Sequence, residues 1–275
     1  MAFRHGLIEV ARLLICRGAD IERVGSAGET LPMVLLHKKG AGTEYYTLLS
    51  AESFNDFDAS CSDGYSALHY AALSGTPEDV AMLRRLTGPI MPTTGSNRTP
   101  LHSAATYGNV SATEELCKYH MNTPGGVDIR DTVGRTPLQR SLRFSNEAHQ
   151  LKSFVQADWT RCKDNPRVFK YQETFEALIR AGADPAGIVQ WCKNHPTGCS
   201  CSAAKERIST YEYAYRYGAE TLRLLLAALE ACGVDVPMEY KARVESRVIE
   251  INTEDVEEEQ LIGDQDIFED AVEFQ

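Results

Sequence analysis

A run of about 20 apolar residues, the length that crosses a bilayer, occurs nowhere in this sequence. The opening stretch, MAFRHGLIEVARLLICRGAD, breaks its apolar residues with Glu9, Arg12 and Arg17. It has neither the continuous apolar segment nor the small-residue cleavage site of a secretory leader. The nucleophile elbow G-x-S-x-G, the phosphate loop G-x-x-x-x-G-K-[ST] and the zinc-protease H-E-x-x-H are all missing. Four of the eight cysteines, Cys16, Cys61, Cys117 and Cys162, show no framework spacing, which suits reduced thiols rather than a disulfide scaffold. The expectation is a cytoplasmic or nuclear protein with no membrane contact. Two sequons, Asn97-Arg98-Thr99 and Asn109-Val110-Ser111, are then idle.

Basic residues are absent from the end of the chain. The last is Arg247, and from Glu250 onward there are eleven acids and no Lys or Arg. The net charge of −11 therefore belongs to the tail, because residues 1–249 balance 28 acids against 28 bases. A balanced body offers no broad basic surface for phosphates, so no nucleic-acid partner is expected.

What the chain does have is repetition. DGYSALHYAALSG (63–75) and SNRTPLHSAATYG (96–108) share the pattern G-x-[ST]-x-L-H-x-A-A-x-x-G, fitted on Gly64 to Gly75 and on Gly95 to Gly108, with Leu68-His69 and Leu101-His102 thirty-three residues apart. A third copy opens at Asp131-Thr132-Val133-Gly134-Arg135-Thr136-Pro137-Leu138, and a weaker one at Gly28-Glu29-Thr30-Leu31-Pro32. A second phrase, L-[LI]-x-x-G-A-D, appears at residues 14–20 and 178–184. A degraded unit runs from Ser209 through Gly218 and TLRLLLAALEACGVDV.

Each residue type in the phrase has a physical use. Ser66, Thr99 and Thr136 are placed to cap helix starts. Pro100 and Pro137 fall at the first helical position, where a missing N–H costs little. Ala71-Ala72 and Ala104-Ala105 are small enough for neighbouring helices to approach. Gly75 and Gly108 read as left-handed caps ending the first helix. Val80, Leu83 and Leu86, spaced by three, supply the core face of a second helix. One such pair cannot bury its apolar face alone, but stacked copies can.

Together the two phrases resemble the ankyrin repeat family over most of residues 5–144 and 173–236. The resemblance implies units of a β-turn and two antiparallel helices. It also implies that His69 and His102 bond backbone groups and tie adjacent units, rather than acting as metal ligands or catalytic bases. No Ser, Cys or carboxylate recurs at a spacing that would complete such a site. Gln139 and Glu212 replace the histidine in later units, which suits a structural position that has drifted.

The pattern breaks in several places. The chain is expected to begin inside a unit, with Gly6 to Asp20 as a second helix and its closing turn, leaving Leu7, Val10 and Leu14 underprotected. The second unit swaps Leu31-Pro32 and lengthens its exit through SAESFNDFDASCS. In the unit opening at Gly134, the first helix is expected to end near Phe144 and the second to resume at residues 173–178. About thirty residues lie between, including Trp159, Arg161 and Lys163.

Three candidate sites follow. By repeat register the hairpin tips and first-helix faces would line a concave groove, contributed by Asp63, Tyr65, Leu73 and Ser74, then Asn97, Arg98, Thr106 and Tyr107, then Val133 and Arg135. Tyr and Arg are favoured anchors of protein interfaces. The second site is WCKNHPTGCSC (191–201), where Cys192, His195, Cys199 and Cys201 offer three thiolates and an imidazole suited to tetrahedral zinc. The alternative is a reduced, metal-free linker, and no cofactor is required. The third is VIEINTEDVEEE (248–259), where Val248, Ile249 and Ile251 precede acids. It looks like a SUMO-interacting motif, a strand added to a partner's sheet edge, or else a cover for the last unit.

The expected fold is all-α, an ankyrin-like helical solenoid of about five to six units with β-turn or hairpin tips. Its parts are repeats over 1–144 (the first partial, the second irregular) and an insertion over 145–172. A resumed repeat, Cys-rich linker and degenerate last repeat follow over 173–247, then an acidic tail over 248–275. The expected function is non-catalytic protein binding in the groove, as an adaptor, scaffold or substrate receptor. The alternative is an enzyme or zinc-stabilised module using the insertion and Cys-rich loop; Cys162 has His149 thirteen residues upstream, but proximity in sequence is not a dyad.

Overall fold

The computed structural model describes residues 8–36, 43–52, 54, 56–87, 93–120, 125–154, 170–191 and 206–244. The described chain is mostly helical. In order it forms α1 (Ile8–Cys16), α2 (Leu31–Leu36), α3 (Thr43–Ala51), α4 (Ala67–Ser74), α5 (Pro77–Leu86), α6 (Pro100–Thr106) and α7 (Val110–His120). Then come a 3-10 turn (Gly126–Asp128), α8 (Pro137–Phe154), α9 (Tyr171–Arg180), β1 (Ile188–Trp191), β2 (Glu206–Ser209), α10 (Thr210–Tyr217) and α11 (Ala219–Ala231). Residues 238–244 are helical as well.

The helices pack in two columns. In one, α2 lies on α4, α4 on α6, α6 on α8 and α8 on α10. In the other, α1 lies on α3, α3 on α5, α5 on α7, α7 on α9 and α9 on α11. Within a layer α4 meets α5, α6 meets α7, α8 meets α9 and α10 meets α11. Alanines set the spacing of the first column: Ala71, Ala72, Ala104 and Ala105 are fully buried. Bulkier residues fill the second, where Val80, Leu83, Leu116, Phe175, Leu178 and Leu225 are equally buried. One apolar core runs without a break from Met33 to Tyr240.

Local chemistry accounts for most helix boundaries. Pro100 opens α6 behind Thr99, and Thr76 caps α5 by accepting the Asp79 N–H at 3.2 Å. Gly108 ends α6 in the left-handed region at φ 62°, as the sequence suggested. Gly75 does not. Its φ is −73°, a value open to any residue. The constraint there is space, because a Cβ on Gly75 would lie 2.6 Å from the Ala71 carbonyl oxygen.

Three further expectations need correction. The fold is not purely α. β1 and β2 pair antiparallel, Ile188 with Ser209 through Trp191 with Glu206. Val189 and Ile208 turn their side chains into the core, and four-residue strands are too short to show a clear alternation. Next, the helix expected to end near Phe144 continues to Phe154. Residues 145–154 contain no Gly or Pro and include several good helix formers, so nothing local stops it. Finally, Gly95 is not the turn glycine of the second tip. That slot belongs to Asn97 at φ 55°, equivalent to Gly28, Gly64 and Gly134 at φ 76°, 81° and 83°. Asn is among the few non-glycine residues that tolerate this region.

Candidate protein-binding surface

Each tip is a tight turn closed by backbone bonds of one pattern. Cys61 N–H donates to the Tyr65 carbonyl, Thr94 N–H to Arg98 and Asp131 N–H to Arg135, all at 2.9 to 3.0 Å. Successive tips are joined directly. Ser62 N–H donates to Ala27 and Thr132 N–H to Ser96, both at 2.9 Å, and the Asn97 amide donates to the Arg130 carbonyl at 2.7 Å.

Behind the tips lies a chain of buried side chains. His69 Nδ1 accepts the Ser66 N–H at 3.2 Å, and its Nε2–H donates to the Arg98 carbonyl of the next tip at 3.0 Å. His102 does the same one layer on, accepting from Thr99 N–H at 3.1 Å and donating to the Arg135 carbonyl at 3.1 Å. An amide N–H can only donate and a carbonyl can only accept, so both rings are fixed as the neutral Nε2–H tautomer. Burial pushes both imidazoles down from 6.5 to about 4, against the smaller opposing pull of the carbonyl bond. Both ring nitrogens of each histidine are thus engaged by bonds within the fold.

Gln139 continues the chain rather than drifting from it. Its Oε1 accepts the Thr136 N–H and its Nε2 donates to the Thr210 hydroxyl, both at 3.0 Å. A primary amide carries an acceptor and a donor, as a neutral imidazole does. Glu212 ends the chain, since a carboxylate has no proton to pass on. Its two oxygens instead hold Arg216 and Arg243 at 2.9 and 2.8 Å.

Sequence reasoning missed several ties. Asn109 donates to the carbonyls of Ala72 and Gly75 at 3.1 and 3.2 Å, stitching α7 to the end of α4. Tyr171 donates from its hydroxyl to the Thr106 carbonyl at 2.9 Å. Asp131 uses one oxygen for the Val133 and Arg135 N–H groups and the other for Arg140 at 3.3 Å, a pair with 4% and 1% side-chain exposure. The capping offset of Asp131 before Gly134 was the only signal in the sequence.

The proposed contact residues separate into two groups. Asp63, Asn97 and Tyr107 are exposed, and Tyr65, Leu73, Arg98 and Val133 are half-buried. Tyr65 rests its ring edge on His69 at 5.5 Å. Thr106 and Arg135 are buried, at 5% and 3% exposure. Thr106 Oγ1 is already engaged, donating to the His102 carbonyl at 2.7 Å and accepting from Arg140. Arg135 lies close enough to Tyr217 to oppose the upward push of burial on that phenol. Neither reaches the surface, because a helix end packs over one and the next layer over the other. Of Ser74 only the backbone is described.

Cys192, His195, Cys199 and Cys201 lie outside the described residues, between the paired strands β1 and β2, and so do Val248, Ile249 and Ile251. Among the described residues there is no group of three or more His, Cys, Asp or Glu that could hold a metal ion. None of the described helices is long and apolar enough to cross a membrane.

The helix pairs α4–α5, α6–α7 and α10–α11 are joined through short turns and stack in the two columns. Residues 96–132, which span a tip, α6, α7 and the start of the following tip, match the family model of the ankyrin repeat. Such repeats are typically non-catalytic and bind proteins. No curated protein matches the chain.

Proposed function

We propose that the chain is a non-catalytic protein-binding module, an adaptor, scaffold or substrate receptor, built as an ankyrin-like solenoid of about five to six units. In that scheme α1 takes the place of a second helix, and each later pair from α2–α3 to α10–α11 is one layer. The partner seats on the tips and the first-helix face. The observation that carries this reading is the division of labour around His69 and His102. Both imidazoles are fully buried and bond backbone of the next tip, while Asp63 on one layer and Asn97 and Tyr107 on the next stand outside. A rigid surface loses little conformational freedom when a partner binds, which favours affinity. Residence in the cytoplasm or nucleus belongs to the same proposal, supported by Cys61 and Cys117 being buried free thiols.

The test is affinity capture from cell extract with the intact chain and with a Tyr65→Ala/Arg98→Ala/Tyr107→Ala variant. A partner held by the first and lost by the second, with unchanged circular dichroism, is the expected result. A partner held equally by both would move binding off this face.

A further inference from the structure

We propose that the outer face of α1 is a self-association surface, pairing antiparallel with the same face of a second copy about a two-fold axis. The inner face of α1 is fully used: Ala11, with Ile8 and Ile15 beside it, packs on Leu48 of α3. The opposite face carries Val10, Leu13 and Leu14 at 43, 53 and 46% exposure. These are among the few exposed large hydrophobic residues of the described chain, and three of them fall together on one nine-residue helix.

The other end of the stack is finished differently. Residues 238–244 fold back over α10 and α11, with Tyr240 stacked on Tyr211 at 5.1 Å and Arg243 bound to Glu212 at 2.8 Å. Polar and aromatic groups close that end. Nothing comparable covers α1 among the described residues.

Charge identifies the occupant. Along α1 and the first residue after it, the outer stripe reads Val10, Leu13, Leu14, Arg17, spaced three, one and three, which is its own mirror on reversal. An antiparallel copy with the two-fold between residues 13 and 14 sets Leu13 level with Leu14 of the second copy, and Val10 level with its Arg17. Glu9 then lies one residue, about 1.5 Å along the axis, from that arginine. The Arg17 stem covers Val10 while its guanidinium meets Glu9, and symmetry repeats the contact. Neither Glu9 nor Arg17 has an ion-pair partner among the described residues. Elsewhere on the surface, by contrast, Glu176–Arg180 and Glu220–Arg223 are paired within their own helices. A single short helix buries less than a permanent dimer needs, so the association is weak and concentration-dependent.

Sedimentation equilibrium of the full chain over roughly two decades of concentration tests this. A monomer–dimer equilibrium is expected, abolished by Leu13→Asp, whose side chain is half exposed and leaves the fold intact by circular dichroism. Glu9→Arg alone and Arg17→Glu alone should each weaken the dimer about tenfold, and the double swap should restore it. A chain that stays monomeric throughout overturns the proposal. So does a dimer indifferent to Leu13→Asp, or a double swap no better than either single change.

Discussion

At the scale of single residues, His69 and His102 are neutral hydrogen-bond bridges, and their value depends on staying neutral. In the unfolded chain a histidine takes up its proton near pH 6.5, whereas in the folded chain both wait until about pH 4. Their stabilising contribution is therefore complete above pH 6.5 and is lost as the pH falls toward 4, because the unfolded state binds protons first. Each contributes about 3 kcal/mol across that window. Urea midpoints measured between pH 7 and pH 4 should fall steeply, and less so in a His69→Gln/His102→Gln variant. The glutamine choice comes from Gln139, which likewise accepts the N–H three residues before it and donates to the next layer, there to the Thr210 hydroxyl. His102→Gln at pH 7 should stay within about 1 kcal/mol of the parent, while His102→Ala should lose about 3 kcal/mol by stranding the Thr99 N–H and the Arg135 carbonyl. The recurrence of Leu-His in the sequence exposed these bridges. The glutamine looked like a loss because its equivalence lies in donor and acceptor geometry, not in side-chain class.

At the scale of elements, the tips show how one backbone conformation is met by different neighbours. Gly64 and Gly134 share the left-handed region, at φ 81° and 83°. A Cβ on Gly64 would lie 2.9 Å from Gly95 N, whereas one on Gly134 meets nothing within 4 Å. Gly134→Ala should therefore cost only the conformational strain, about 1 kcal/mol. Gly64→Ala should cost at least about 2 kcal/mol, since adjacent tips must also separate. Chemical denaturation of the two variants side by side would reveal the gap. Asp131→Ala should be more severe, about 3 to 5 kcal/mol, because it removes the carboxylate paired with the buried Arg140 and strands two backbone donors. Capping residues and small-residue helices were legible because they are short-range choices. The run of α8 to Phe154 and the β1–β2 pair were not. A helix continues wherever nothing stops it, and four-residue strands are defined by a partner far along the chain.

At the scale of the whole molecule, two columns of helices share one core, and His69, His102 and Gln139 each bond their own layer to the next, beside further buried ties through Asn109, Arg140 and Tyr171. That ordering was visible in the thirty-three-residue spacing of His69 and His102. Which tip residues remain outside was only partly visible: Thr106 and Arg135 share the register of exposed positions, but packing from neighbouring layers covers them. Thus the proposed partner surface is narrower than the register alone implied, with Asp63, Asn97 and Tyr107 exposed and Tyr65, Leu73, Arg98 and Val133 half-buried. Hydrogen exchange of the intact chain, alone and with a captured partner, reads this surface directly. Slowed exchange at residues 62–65, 96–98 and 107, with the outer helices α5 and α7 unchanged, is the expected footprint. Slowing confined to α5, α7 or the acidic tail would contradict a partner seated on the tips.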